Sequence, residues 1–359
     1  MKCNPNHNVL SCVFENGFGA DATSLGEVIK AYESGLPKER IYYSAPGKTF
    51  KDIEDSIEKS YIIVDSIEEI GRIQNVAENK GITAEIGIRI NPEYSFTDEQ
   101  GYFSKFGVDQ DYAFDFLSGD GYKNVKVNGL HVHLKSQELD TDVLIRHYTN
   151  ILKLAEKFIA ACGTLDYINL GSGIGVQYAP EDVPVDMQSL SSAVNSQLDK
   201  FREAHPETKI MMETGRYTVC KSGTYVTKVV DRKVSHGKTI ILLKNTLNGF
   251  FKPSLAQLVT SYSPDEYPAV AEPLFTCKDA FEIVPLVDDE PSETVTIFGN
   301  LCTATDIVAA DALMPYLKYG DIVTFTNAGS YAAVLSPMQF SSQEKPVELF
   351  LTAGGEVIL

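Results

Sequence analysis

The sequence predicts an α/β fold: a (β/α)8 TIM barrel followed by a mainly antiparallel β domain. Three observations carry the prediction. Polar residues or glycine close successive apolar runs at Lys2, Asp21, Asp65, Arg89, His133, Gly171 and Glu213. Amphipathic stretches of helical period separate those runs, the pattern of parallel βα units. After Arg216 the period shortens to the alternation of antiparallel strands.

Taken in order, the apolar runs predict strands at 17–21, 40–44, 61–64, 84–90, 127–133, 167–170 and 209–213. Helices are expected at 24–34, 67–79, 141–161 and 189–204, with Ser24, Ser66 and Thr141 near their starts as caps. Seven strands are one short of a closed barrel, and the absent one is the first, so that Lys2 would sit at its C-terminal tip. Residues 1–215 then form the barrel and 216–359 the β domain, with strands at 223–230, 239–243, 282–286, 294–298, 322–325 and 347–351. The segment 261–273, rich in Pro, Ser and acids, is the expected mobile loop. The chain carries no internal repeat and no low-complexity tract.

Bulk properties exclude several classes. With 359 residues and 43% hydrophobic content, the chain is long enough to bury a large core. Forty-nine acids against 31 basic residues give a formal net charge of -18, the wrong sign for a nucleic-acid surface. Cys3, Cys12, Cys162, Cys220, Cys277 and Cys302 show no CxxC spacing, so reduced thiols in a cytoplasmic protein are expected, and no zinc site. No apolar stretch approaches the ~20 residues that span a bilayer, and the opening Met1-Lys2-Cys3-Asn4-Pro5-Asn6 is too polar for a signal peptide.

The residues with chemistry are a lysine, histidines, carboxylates and glycine loops at the strand ends. An amine held near neutral pKa at a barrel mouth can form a Schiff base. Of the pair in His131-Val132-His133, either ring could ligate a metal or pack in the core; a third ligand is not evident, and no metal is expected. Gly171-Ser172-Gly173 turns backbone N–H groups towards an anion, or makes a tight strand-to-helix turn.

Together these segments resemble the ornithine/diaminopimelate/arginine decarboxylase family, fold type III of the pyridoxal-phosphate enzymes, with an alanine racemase-like barrel. Lys2-Cys3-Asn4-Pro5-Asn6 followed by Asp21-Ala22-Thr23-Ser24 is similar to the family's lysine motif and next strand end. Gly129-Leu130-His131-Val132-His133-Leu134-Lys135-Ser136-Gln137, Asn169-Leu170-Gly171-Ser172-Gly173-Ile174-Gly175 and Glu213-Thr214-Gly215-Arg216-Tyr217 are similar to its histidine strand, glycine loop and Glu-x-Gly-Arg closure. In the β domain, Gly299-Asn300-Leu301-Cys302-Thr303-Ala304-Thr305-Asp306 and Asn327-Ala328-Gly329-Ser330-Tyr331 resemble its Gly-x-x-Cys and Gly-Ala-Tyr segments.

The resemblance implies pyridoxal 5'-phosphate bound to Lys2, with His133 stacked on the ring and Glu213 at the pyridine nitrogen. It places Ser136, Gly171, Ser172, Gly173, Gly215, Arg216 and Tyr331 around the phosphate, and Asp21 and Arg89 as a polar surround of Lys2. It implies a head-to-tail homodimer with shared active sites, in which Cys302 of one copy joins Lys2, His133 and Glu213 of the other in catalysis. The expected reaction is α-decarboxylation of a small-molecule amino acid, with Asn245, Lys252, Thr303 and Asp306 reading its distal end.

Three departures bear on that reading. Family members ordinarily carry several dozen residues ahead of the lysine, including the first barrel strand. Asn245 and Thr303 are neutral where members that take free diamines present acids, which disfavours a buried distal ammonium. Asn248-Gly249-Phe250-Phe251-Lys252-Pro253 is similar to the diaminopimelate branch's Asn-Asp-x-x-Arg-Pro, but with a lysine for the arginine and no acid at 249. Lys252, with Lys135, is then expected to receive a distal carboxylate as a point charge, in diaminopimelate or in a conjugated diamino acid of siderophore or natural-product biosynthesis. Two rivals stand beside this reading. One is a catalytically inactive homologue acting as a binding or regulatory protein. The other is a pyridoxal-phosphate racemase, which Glu213 disfavours because racemases use arginine at the ring nitrogen.

Overall fold

In the computed structural model, which describes residues 1–119, 121–262, 274–288 and 290–359, short β-branched runs line up in a parallel sheet. The chain divides into two compact units. The first comprises Met1–Lys2, Leu10–Gly175 and Val185–Thr214, the second Cys3–Val9, Val176–Pro184 and Gly215–Leu359.

The first unit alternates helix and strand. Its elements are α1 (His7–Glu15), β1 (Ala20–Ala22), α2 (Leu25–Glu33), β2 (Ile41–Ser44), α3 (Phe50–Ser56), β3 (Tyr61–Val64), α4 (Ile67–Lys80) and β4 (Ala84–Asn91). There follow β5 (Val108–Asp109), α5 (Gln110–Ser118), β6 (Val125–His131), α6 (Thr141–Cys162), β7 (Tyr167–Asn169), α7 (Met187–Ala204) and β8 (Lys209–Met211). The seven long-path strands run parallel in the order β1-β2-β3-β4-β6-β7-β8, with β5 beside β4. The expected fold class holds, and each of the seven strands read from the sequence forms. Residues on both faces of β3, β4 and β7 are buried, as Ile62, Ile63 and Val64 are, which is why these strands read as continuous apolar runs.

Helix starts follow local capping. Ser24 and Ser66 accept from the N–H groups of Glu27 and Glu69 as expected. The cap of α6 is Asp140, which accepts from the N–H groups of Asp142 and Val143; Thr141 instead accepts from Asp186 N–H. Inside the sheet, Gly87, Gly129 and Tyr167 stand in register across β4, β6 and β7. A Cβ on either glycine would collide with the Tyr167 ring, so the two glycines exist to admit that ring. Tyr167 in turn meets Tyr42 edge-on at 5.2 Å between centroids, and Tyr42 stacks on Tyr61 at 5.6 Å.

The second unit holds α8 (Arg216–Val219), β9 (Tyr225–Ser235), β10 (Lys238–Leu243), α9 (Lys252–Tyr262), β11 (Ile283–Leu286), β12 (Ser292–Gly299), β13 (Ile307–Pro315) and β14 (Ile322–Phe325). Its sheet has the order β11-β14-β9-β10-β12-β13, antiparallel except where β10 runs parallel to β12. Val229, Ile241, Leu243, Phe250, Val295, Ile297 and Phe325 form its core. The strand expected at 347–351 is shorter: only β15 (Phe350–Leu351) pairs, with β16 (Val357–Ile358), in a separate ribbon. Val347 and Leu349 are exposed, since apolar alternation alone gives no ladder without a neighbouring strand. Of the loop expected at 261–273, the first two residues end α9, and 263–273 lie outside the described residues.

Gly129→Ala should cost about 1–3 kcal/mol, because the added carbon must displace a buried ring. Urea denaturation checks this, and Tyr167→Leu in the same chain should recover part of the loss; equal stability of Gly129→Ala and the parent would contradict the packing described.

Candidate active site

The strand ends supply the site of the first unit. Asp21 lies within β1, Asp65 follows β3, Arg89 lies near the end of β4, and His133, Gly171 and Glu213 each stand two residues past β6, β7 and β8. The register pairs His131 with Asn169 and Asn169 with Met211. His131 and Asn169 therefore reach the same carboxylate from neighbouring strands: His131 Nε2 lies 3.0 Å from Glu213 Oε1, and Asn169 Nδ2 donates to that oxygen at 2.9 Å.

These contacts set the charge of the site. Burial would raise the Glu213 carboxyl, but the contact with His131, with His133 and Lys2 nearby, outweighs it and holds the group well below the usual carboxylate range. Burial pushes the His131 imidazole down, with the neighbouring Glu213 pulling against it. Asp21 is shifted the other way. Its carboxyl is pushed up to about 7, first by burial and then by the charge of Glu213, with Lys2 pulling against both. Two carboxyls near one amine thus hold opposite protonation tendencies at neutral pH.

His133 is fixed on three sides. Its Nδ1 accepts from Ser172 N–H at 3.2 Å, its Nε2 lies 3.4 Å from Ser136 Oγ, and its carbonyl accepts from Arg89 Nη2 at 2.9 Å. Gly171 makes the approach possible. Its φ is +64°, and a Cβ there would collide with the Val132 carbonyl oxygen. Gly173, at φ +136°, would press a Cβ to 3.1 Å from Phe96. Lys2 is exposed and within electrostatic reach of both Asp21 and Glu213.

The second unit gathers cations and aromatic rings. Arg216 is 5% exposed, donates from Nη1 to Tyr178 Oη at 3.0 Å, and lies 4.8 Å from the Tyr331 ring centroid. Tyr331 sits at φ +53° and donates its N–H to Cys3 O at 2.8 Å. A Cβ on Gly215 would come within 2.9 Å of Cys3 Sγ.

Two residues expected at the substrate are enclosed by other contacts. Lys252, expected as an open point charge for a distal carboxylate, is fully buried, 5.4 Å from the Tyr331 ring centroid and 5.7 Å from that of Tyr178. It shares the rings that Arg216 uses. Asp306, expected at the substrate, is buried with both oxygens committed: Oδ1 accepts from Thr246 Oγ1 at 2.5 Å and Leu247 N–H at 3.1 Å, and Oδ2 from Leu301 N–H at 2.9 Å. It clasps the loop that presents Cys302 and Thr303. Asn245 is buried at φ +50° and donates Nδ2 to Glu344 O at 3.1 Å. Thr303 Oγ1 lies 2.9 Å from Thr305 Oγ1, and Cys302 is exposed.

His131, weighed from the sequence only as a metal ligand or core residue, is not among the expected site residues, nor are Asn169 and Tyr178. His131 lies in the histidine strand and Asn169 opens the glycine loop, and the signal that could have found them is their spacing of two residues before His133 and Gly171. Among the described residues no group of three His, Cys, Asp or Glu side chains could hold a metal ion, and no helix is long and apolar enough to cross a membrane.

Residues 1–220 match the family model described as pyridoxal-dependent decarboxylase, pyridoxal binding domain. The chain is 29% identical to the L-glutamyl-BtrI acyl-carrier protein decarboxylase of Niallia circulans, over 99% of this chain and 82% of that protein. It is 27% identical to a diaminopimelate decarboxylase of Helicobacter pylori, over 98% of this chain and 82% of that one. The crystal structure of diaminopimelate decarboxylase from Helicobacter pylori complexed with L-lysine superposes with a TM-score of 0.82 at 26% identity, covering 99% of this chain and 84% of that one.

The raised Asp21 carboxyl gives a pH prediction for the cofactor-free protein. Its native form holds a proton that the unfolded chain releases near 3.8, so its contribution to stability falls as pH rises from about 4 to about 7. Asp21→Asn removes this term: its stability relative to the parent should increase across that window. Urea midpoints measured in parallel at several pH values test it, and a difference that stays flat from pH 4 to 7 would remove Asp21 as the titrating group.

Proposed function

The chain belongs to the pyridoxal-dependent decarboxylases, and from that premise we propose that it removes the α-carboxylate of an amino acid whose distal end carries a carboxylate or a conjugated group. The residues fit the cofactor. An exposed amine at Lys2, a carboxylate kept ionised at Glu213, a fixed imidazole at His133 and glycine positions that a Cβ would block match the needs of an aldehyde, a pyridine nitrogen, a flat ring and a phosphate in turn. Lys2 would bind the cofactor through its amine, and Arg216, Tyr331, Gly215, Gly171, Ser172, Gly173 and Ser136 would hold the phosphate.

Bound pyridoxal phosphate supplies an electron sink for the pair left on Cα when the carboxylate departs. Glu213 would hold a proton on the pyridine nitrogen, and the contacts of His131 and Asn169 with its carboxylate are the observation that carries the proposal. His133 stays in one orientation because Ser172 N–H and Arg89 fix its ring and carbonyl. Asp21, with its carboxyl near 7, can hold or release a proton beside the Lys2 amine. Cys302 of a partner subunit would return a proton to Cα.

The distal end is read from what surrounds the histidine loop. A cavity of about 460 Å³ is lined by Ser95, Phe96, Asp98, Tyr102, Leu134 and Lys135, immediately after His133 in the chain. Lys135 lies half-exposed there, 2.9 Å from Glu138 Oε2. A free diamine finds no acid at Asn245 or Thr303, and the cavity wall offers a carboxylate or an amide-linked arm the Lys135 ammonium, paired with Glu138, alongside Asp98. Both named relatives act on amino acids of this kind: a glutamyl unit on a carrier protein and diaminopimelate.

Added pyridoxal phosphate should give a visible absorbance that is lost in Lys2→Ala. Carbon dioxide release should then be at least about tenfold faster from diaminopimelate or a conjugated amino acid than from ornithine or lysine; faster release from either diamine would overturn the substrate reading. Mixing inactive Lys2→Ala with inactive Cys302→Ala should restore about a quarter of the activity if the sites are shared across a two-fold dimer. No restoration in the mixture would place Cys302 outside a shared site.

A further inference from the structure

One buried ion pair of the first unit has no part in the chemistry above. Lys48 and Glu69 both have fully buried side chains, with Nζ and Oε1 2.7 Å apart. Lys48 spends its three donors on Glu69, the Ala45 carbonyl just past β2 at 2.7 Å and the Ile63 carbonyl of β3 at 2.7 Å. It thereby ties the ends of two neighbouring parallel strands to the first turn of α4. A buried pair of this kind is weak evidence of stability, since apolar residues of like volume often serve as well or better. Its position is more informative.

The second oxygen of Glu69 continues the path. Glu69 Oε2 accepts from Asp65 N–H at 3.4 Å. Asp65 Oδ1 accepts from Gly107 N–H, and its Oδ2, which makes no hydrogen bond, has Arg89 Nη1 at 4.0 Å. Arg89 donates Nη2 to the carbonyl of His133 at 2.9 Å and lies 4.6 Å from the centre of the Phe106 ring. Gly107 marks the point where the segment leaving β4 at Asn91 returns. At φ +82°, a Cβ there would come to 2.7 Å from Asn91 N and 2.9 Å from the Ile90 carbonyl carbon, so the neck leaves no slack. Four side chains thus run from the barrel wall to the backbone of the histidine and the neck of the 92–107 segment.

We propose that Lys48 and Glu69 are positioning residues, which set Asp65 and through it Arg89, the His133 carbonyl and the neck at Gly107. The proposal rests on the decarboxylase reading only for its kinetic consequence. Neither residue touches substrate or cofactor; each acts by holding the one that follows.

The test is the double variant Lys48→Met/Glu69→Leu in the full chain, which removes both charges together and leaves none unpaired. Three readouts are taken on the folded protein: amide exchange at Gly107 and residues 131–137, pyridoxal-phosphate affinity by absorbance titration, and kcat and KM for the amino acid released fastest. The expected result is native-like unfolding cooperativity, exchange at Gly107 faster by about tenfold, weaker cofactor binding, and kcat reduced about tenfold with a smaller change in KM. Wild-type exchange, affinity and kcat together in the double variant would reduce the pair to packing and overturn the proposal. If the double variant does not fold, Asp65→Asn cuts the path one link later with the ion pair intact. It should reproduce the faster exchange and lower kcat, and wild-type exchange at Gly107 would again overturn the proposal. Should no amino acid release carbon dioxide, the decarboxylase reading falls, while exchange and cofactor affinity still decide the role of the pair.

Discussion

The partly buried carboxylate of Glu213 is the constraint around which the first unit is arranged. Burial alone would push the carboxyl towards its protonated form, and Glu213 is held the other way, met on one oxygen by His131 and Asn169 from two neighbouring strands. Asn169 donates to the oxygen that His131 contacts, and neither could do so if β6, β7 or β8 slipped by one residue, since a slip of one turns every side chain to the other face. Register therefore sets charge, and charge sets what chemistry the site can support. The raised carboxyl of Asp21 is the counterpart: once Glu213 is ionised, a second carboxyl in reach of it is driven towards the protonated form.

The barrel's interior explains why the register holds. Gly87 and Gly129 give up side chains so that Tyr167 can lie across them, and Tyr167 packs in turn on Tyr42 and Tyr61 from β2 and β3. Rings from three strands interlock with gaps on two others, so shifting one strand would strand a ring against backbone. The same tightness recurs at Gly171, where the loop crosses close to the Val132 carbonyl to bring Ser172 N–H onto the His133 ring.

Most of this frame is legible in the sequence, because a doubly buried parallel strand needs an apolar run and its end needs a polar stop. Hence Asp65, Arg89, His133, Gly171 and Glu213 are found at the strand ends by inspection. Helices α1, α3, α5 and α9 are not legible, since β-branched, aromatic and proline residues in His7–Glu15, Phe50–Ser56, Gln110–Ser118 and Lys252–Tyr262 blur the helical period. What pairing creates is also hidden. His131 and Asn169 are 38 positions apart in the chain and meet only through the sheet register, and Lys48 meets Glu69 across 21 positions. The bonds of Asp306 and the burial of Lys252 are hidden for a related reason: a motif shows which residues are near a site but not which of their atoms are already bonded.

The central claim is that Glu213 stays ionised and holds a proton on the cofactor's ring nitrogen. The most direct measurement is the nitrogen NMR shift of ring-labelled pyridoxal phosphate bound to the wild-type protein at neutral pH. A protonated-pyridinium shift is the result this account predicts; the shift of an unprotonated pyridine would contradict it.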